Sequence, residues 1–318
     1  MSDPRRARSA PRAAAALALL SVIWGYNWVV MKNGALYAGP FQFSALRTVF
    51  GTLTLFVLVA VRRQRLQLEA PGGVILLGIL QTTGFTALSQ WALVEGGAGK
   101  TAVLAYTMPF WLLLLAWPLL HERLRGWQWA AVVLAAIGLV LILAPWQHAS
   151  SLASSALAVA AGLSWAASAI VAKRLRQCTR MNLLALTAWQ MLFGTVLLVV
   201  IDIAVPAAPL RMAPYLLFAV AYTAVIGTGL AWLLWMYVLD QLPAGIAGLG
   251  SLAIPAIGVL AAWLELGERP PAHEIAGMLV VAAALGLLAA RGLVESRGRS
   301  AGLAATGQPV AEPGIDRA

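Results

Sequence analysis

Between Trp127 and Ala144 the chain reads WQWAAVVLAAIGLVLILA, 18 residues in which Gln128 is the one amide and no side chain is charged. Coiled as an α-helix, such a run reaches about 27 Å, close to the roughly 30 Å of a bilayer's hydrocarbon core. A helix satisfies its own backbone hydrogen bonds, so this is one of the few forms in which a chain can cross lipid. Several runs of this kind recur along the chain, and 61% of all residues are hydrophobic while 11% are charged. Soluble domains carry about 25% charged residues. These features define an integral membrane protein that crosses the bilayer repeatedly.

Divided at charges and at Pro and Gly clusters, the apolar runs predict ten helices, over about 13–36, 41–61, 72–94, 99–120, 127–144, 150–172, 182–205, 214–239, 244–266 and 272–291. The start, MSDPRRARSAPRAAAALALL, has the basic opening of a secretory signal, but the apolar run continues to about Leu36 without a small-x-small cleavage site. It is expected to remain as the first membrane helix. The Gly-, Ala- and Arg-rich stretch 292–318 is expected to be a disordered cytoplasmic tail.

The net charge of +10 raises the possibility of nucleic acid, and the placement of the charges removes it. With the N-terminus inside, the cytoplasmic segments hold Arg5, Arg6, Arg8 and Arg12, then Arg62, Arg63 and Arg65, then Arg123 and Arg125. Lys173, Arg174, Arg176 and Arg180 come next, and then Arg291, Arg297, Arg299 and Arg317, making 17 of the 22 basic residues. The remaining five are Lys32, Arg47, Lys100, Arg211 and Arg269. This bias is a topology signal, which puts both termini in the cytoplasm. One cysteine, Cys178, allows no internal disulfide, and His121, His148 and His273 lie far apart at the ends of apolar runs. No metal site is expected from that set.

The chain also repeats itself. Pro109 precedes Glu122 by thirteen residues, and Pro255 precedes Glu268 by the same interval. Trp24 and Lys32 match Trp165 and Lys173, Phe50-Gly51 matches Phe193-Gly194, Gly84 matches Gly227, and Ala98-Gly99 matches Ala244-Gly245. The common order of these matches divides the chain into repeats of five helices, over 13–146 and 147–291, after a cytoplasmic segment at 1–12. Because five is odd, the second repeat enters from the opposite side. Inverted repeats of this kind are the architecture of secondary transporters, whose halves exchange conformations around a site near the midplane.

The residues SVIWGYNWVVMK, Arg47, Pro109 and HERLRGWQWAAVVLAAIGLVLIL resemble the EamA family of the drug/metabolite transporter superfamily. The second copy, SLAIPAIGVLAAWLELGERPPAHEIAGMLVVAAALGLLAA, is similar to that family's closing signature. The resemblance spans roughly 15–291. It implies an all-α polytopic membrane protein of ten transmembrane helices in two inverted five-helix repeats. It also implies a central cavity lined mainly by helices 1, 3, 4, 6, 8 and 9, and bacterial inner-membrane export of amino acids and other small metabolites, with some importers.

Candidate site residues are marked by polarity at membrane depth. Trp24, Asn27, Trp28 and Met31 share a face of the first helix, and Thr83, Thr86 and Gln90 share one of the third, beside Trp91. Tyr106, Trp165, Ser168, Tyr222 and Trp232 extend the set on the fourth, sixth and eighth helices. An amide in lipid needs a partner, which a cavity or another helix supplies. Lys32 and Arg47 are the deepest cations, suited to a substrate carboxylate, to snorkelling or to backbone carbonyls. Pro109 and Pro255, expected near mid-helix, are candidate hinges. Glu122 and Glu268 sit beside arginines at helix ends, where a local ion pair or a cap for the following helix is expected. No catalytic cluster of paired His and Asp is present, which argues against a membrane enzyme. No filter-like loop or charge ring favours a channel. The expected partners are the bilayer and a small-molecule substrate, with a coupling proton or counter-substrate as open alternatives. No cofactor, metal or nucleic acid is expected, and import or multidrug efflux stands as the alternative direction of function.

Overall fold

A computed structural model describes residues 4–120, 126–143, 149–206, 209–241 and 253–305. No strand occurs among the described residues, which are grouped here as ten rods. In chain order these are α1 Pro4–Gly34, α2 Pro40–Val61, α3 from Pro71 to Glu95, α4 from Ala98 to Leu120 and α5 Gly126–Leu143. The second five are α6 Ala149–Cys178, α7 Leu183–Ala204, α8 from Pro214 to Gln241, α9 Ala253–Leu266 and α10 Ala272–Ala305. Seven, α1 to α4 and α6 to α8, hold stretches long and apolar enough to cross a membrane, and α5, α9 and α10 hold shorter ones.

Local chemistry sets the ends. Pro40, Pro71 and Pro214 open α2, α3 and α8 at the position where a missing N–H costs no helical bond. Asn182 caps α7, its Oδ1 accepting the Ala185 N–H at 2.7 Å. Gly267 succeeds α9 at φ +66°, the left-handed conformation that ends helices and favours glycine.

Three features correct the expectations. The stretch expected to be a disordered tail from 292 continues α10 as far as Ala305, and 306–318 lie outside the described residues. The fourth helix is broken into Ala98–Ala105 and Met108–Leu120, so Pro109 stands in a first turn rather than mid-helix. Thr107 bridges the break, its N–H and Oγ1 both donating to the Leu104 carbonyl, at 3.2 and 2.6 Å. Pro255 lies in the described part of α9, and the residues before Ala253 lie outside the described residues. Third, α3 and α8 each contain a π-helical stretch, Ile79–Gly84 and Tyr222–Leu230. Phe85 N–H reaches the Leu80 carbonyl five residues back, and Ser164 Oγ of α6 donates to the same oxygen at 2.7 Å. His121, Glu122, Arg123, Arg125 and His148 lie outside the described residues.

The packing obeys the repeat. Adding five to each helix number turns the α1·α9 contact into α6·α4, α1·α8 into α6·α3, and α2·α8 into α7·α3. The pairs α2·α7, α4·α9 and α5·α10 map onto themselves. This is the contact pattern of a two-fold axis relating the repeats, and every helix named in it packs across the repeat boundary. At α5·α10 the backbones nearly touch. A Cβ on Gly138 would lie 2.8 Å from the Gly277 carbonyl oxygen, and one on Gly277 would lie 2.7 Å from that of Gly138.

Polar contacts gather at the two ends. At one, Asn182 Nδ2 donates to the Arg65 carbonyl at 3.2 Å and Arg180 N–H to Glu69 Oε2 at 3.0 Å. At the other, Lys100 pairs with Glu274 at 2.7 Å, Asn33 Nδ2 donates to Glu265 Oε1 at 3.3 Å, and Glu268 accepts the N–H groups of Ala98 and Gly99.

Candidate functional site

Three helices of the first repeat direct polar side chains at one residue, Met31 of α1. Asn27, one turn earlier, donates through Nδ2 to Met31 Sδ at 3.4 Å. Arg47 of α2 also contacts Met31 Sδ through its guanidinium. Gln90 of α3 donates through Nε2 to the Met31 carbonyl at 3.1 Å. Met31 and Gln90 are buried, and Asn27 and Arg47 are half-buried. Arg47 lies about 10 Å along α2 from Pro40, at roughly 1.5 Å per residue, and so sits well inside the span.

The electrostatics of this cluster are unbalanced. The ion pair Lys100–Glu274 does not include Arg47. A thioether is a weak acceptor, whereas a guanidinium carries five donors. Both amides commit their nitrogens to Met31. Their oxygens, Asn27 Oδ1 and Gln90 Oε1, are buried without a hydrogen-bond partner. Gly227 in the π stretch of α8 faces Asn27, since a Cβ there would lie 3.1 Å from Oδ1.

Aromatic rings adjoin the polar group. Trp165 of α6 has Phe85 of α3 and Tyr106 of the α4 break at ring-centroid distances of 5.2 and 5.5 Å. Phe85 and Tyr106 pack on the same apolar cluster as Trp28 and Met31. Trp24 Nε1 donates to the Gly227 carbonyl at 3.0 Å, and Tyr222 OH donates to the Ile23 carbonyl at 2.9 Å, so both tie α1 to the π stretch of α8.

The structure separates the remaining candidates from this group. Lys32 donates to the Leu93 carbonyl at 3.0 Å and also to that of Gly96, a cation on the last carbonyls of α3 where the helix dipole favours it. Trp91 is one residue beyond Gln90, about 100° around the helix, so burying Gln90 turns Trp91 outward, where it is 42% exposed and packs edge-on to Phe41. Trp232 packs with Leu55, Val59 and Leu184 between α2 and α7. Ser168 is buried and returns its hydroxyl to the Trp165 carbonyl at 2.6 Å. Thr83, expected on the Gln90 face, instead donates to the Gly194 carbonyl of α7 at 2.8 Å.

Glu268 holds a role that the sequence did not reveal. Its Oε1 accepts the Ala98 N–H at 2.8 Å and its Oε2 accepts the Gly99 N–H at 3.1 Å. It therefore caps α4 of the other repeat, not the following helix and not its neighbour Arg269. The one signal was at the far partner: α4 begins after Gly97, which has no side chain to cap it.

A helical bundle of two-fold-related halves, with a polar cluster at membrane depth, defines a multi-pass membrane protein of the two-repeat class. The family model described as the EamA-like transporter family matches residues 12–144 and again 153–290, and the chain belongs to that family. A relative of Bacillus subtilis named as the uncharacterized transporter YoaV is 27% identical over 82% of this chain and 91% of its own length. A protein of Salmonella typhimurium named as a probable amino-acid metabolite efflux pump is 25% identical over 84% of this chain and 91% of its own. One of Streptantibioticus cattleyicolor, named as a probable terminal-alkyne amino-acid exporter, is 25% identical over 82% and 88%. A crystal structure that is 18% identical shares the fold, with a TM-score of 0.62 over 87% of this chain and 95% of that one.

Proposed function

We propose that this protein is a secondary active transporter of the bacterial inner membrane, with both termini cytoplasmic, that exports amino acids or related small metabolites by alternating access. The observation that carries this reading is the exchange relation among the helix contacts. Each pairing of α1 with α8 or α9 has its counterpart between α6 and α3 or α4. A bundle so built has two arrangements of nearly equal energy, each the other's two-fold image, and passing between them opens a midplane site first to one side and then to the other. The names of the Salmonella and Streptantibioticus relatives support the substrate class.

In this reading Asn27, Gln90 and Arg47 line the path together with Trp24, Tyr106, Trp165 and Tyr222. The break before Pro109 and the equivalent position at Pro255 are the hinges. A coupling proton or a counter-substrate drives the cycle.

The test is counterflow in liposomes. Protein reconstituted at known orientation, preloaded with single members of an amino-acid panel, should accumulate the labelled form of at least one of them with saturation. Flux that is linear in concentration and set by voltage would replace the carrier with a channel. Chemical conversion without movement would replace it with an enzyme.

A further inference from the structure

Among the described residues, five buried side-chain polar atoms have no partner, and two of them, Asn27 Oδ1 and Gln90 Oε1, belong to the group around Met31. The same group holds Arg47, a cation at membrane depth whose polar contact is a thioether sulfur. A charge in a membrane helix is costly, and a sulfur acceptor does little to offset that cost. A buried acceptor left without a donor keeps its full desolvation penalty. The site thus lacks an acceptor group for the guanidinium and donor groups for the two amide oxygens.

We infer that Arg47, Asn27 and Gln90 form the subsite for the zwitterionic head of an α-amino acid, whose side chain lies toward Phe85, Tyr106 and Trp165. The carboxylate receives the guanidinium N–H groups of Arg47, displacing the weak sulfur contact. The ammonium donates to Asn27 Oδ1 and Gln90 Oε1. Each group of the ligand then meets the charge or lone pair that the protein by itself leaves unsatisfied. The amide nitrogens stay on Met31, which fixes the two oxygens as acceptors rather than donors. The three aromatic rings, with Phe85 and Tyr106 at centroid distances of 5.2 and 5.5 Å from Trp165, offer an apolar surface for an aliphatic or aromatic side chain. Lys32 takes no part, since its ammonium is already held by the α3 carbonyls. This inference rests on the transport reading, and it adds the groups that recognise the solute.

The experiment uses purified full-length protein titrated with three probes: L-phenylalanine, 3-phenylpropionate without the ammonium, and phenethylamine without the carboxylate. The wild type should bind L-phenylalanine at least about tenfold more tightly than either analogue, because a missing group leaves buried partners unpaired. Arg47→Gln should weaken L-phenylalanine and 3-phenylpropionate by about tenfold or more and leave phenethylamine within about twofold, with Arg47→Lys in between. Asn27→Leu and Gln90→Leu should produce the reverse split. Retained phenethylamine binding in Arg47→Gln shows that this variant is folded. Wild type that binds none of the three, or binds both analogues as tightly as the amino acid, overturns the subsite. So does an Arg47→Gln that binds L-phenylalanine normally or weakens all three alike. Counterflow separates the two readings: movement of other solutes that Arg47→Gln leaves intact sinks the subsite alone. Binding without movement of any solute sinks transport alone.

Discussion

Glu268, in the second repeat, accepts the backbone N–H of Ala98, in the first, at 2.8 Å. A carboxylate on the first turn of a helix satisfies two free N–H groups and meets the positive end of the helix dipole. Glu268→Ala should destabilise the protein by about 1–2 kcal/mol, and Glu268→Gln by less, because the amide keeps one acceptor but loses the charge. Thermal unfolding in detergent reads both. Equal stability of the alanine variant and wild type would remove the cap from the account.

Close approach at Gly138 and Gly277 sets a sharper demand. Backbone oxygen cannot move aside as a side-chain tip can, so Gly138→Val should abolish well-folded protein, scored as monodisperse elution in size-exclusion chromatography. Gly72→Ala, where an added Cβ meets nothing within 4 Å, should elute as wild type.

Lys100 and Glu274 are 13% and 15% exposed, so their pair is less screened than a surface one. A double-mutant cycle to Met and Gln should give a coupling of about 1 kcal/mol, falling as salt rises from about 0.05 to roughly 0.5 M. No coupling would mark the contact as incidental.

Pro109 is the second residue of the second piece of α4 and leaves the Ala105 carbonyl without its usual N–H donor. Pro109→Ala restores that donor and should join the two pieces. Stability should stay level or rise, while the counterflow rate falls severalfold, and more so with Pro255→Ala. A double variant that transports at the wild-type rate would deny both prolines a hinge role.

Much of this architecture is legible in the chain itself. Apolar runs of the length of Trp127–Ala144 dictate membrane helices, and the Pro109–Glu122 and Pro255–Glu268 intervals reveal the repeat. The polar members Asn27, Gln90 and Arg47 stand out because lipid penalises them. The hidden features depend on partners far apart in the chain or on helix phase. Glu268 reads as a local charge beside Arg269, and nothing in its neighbours points 170 residues back to Ala98. The π stretches defeat a fixed 3.6-residue period. One widened turn at Ile79–Gly84 rotates the remainder of the helix, so Thr83 and Gln90, which share a face on an ideal helix, serve different neighbours. The Gly84–Gly227 match is visible, but equivalent glycines do not announce the backbone they serve.

The crossed pairing of the repeats has a consequence for how the molecule is made. Because α1 finds its neighbours in α8 and α9, and α6 finds its own in α3 and α4, neither half encloses an interior by itself. During synthesis the first five helices must wait in the membrane with their inner faces against lipid until the last five arrive. Two separately encoded fragments should therefore reassemble into one working unit, and either fragment alone should be cleared by the cell.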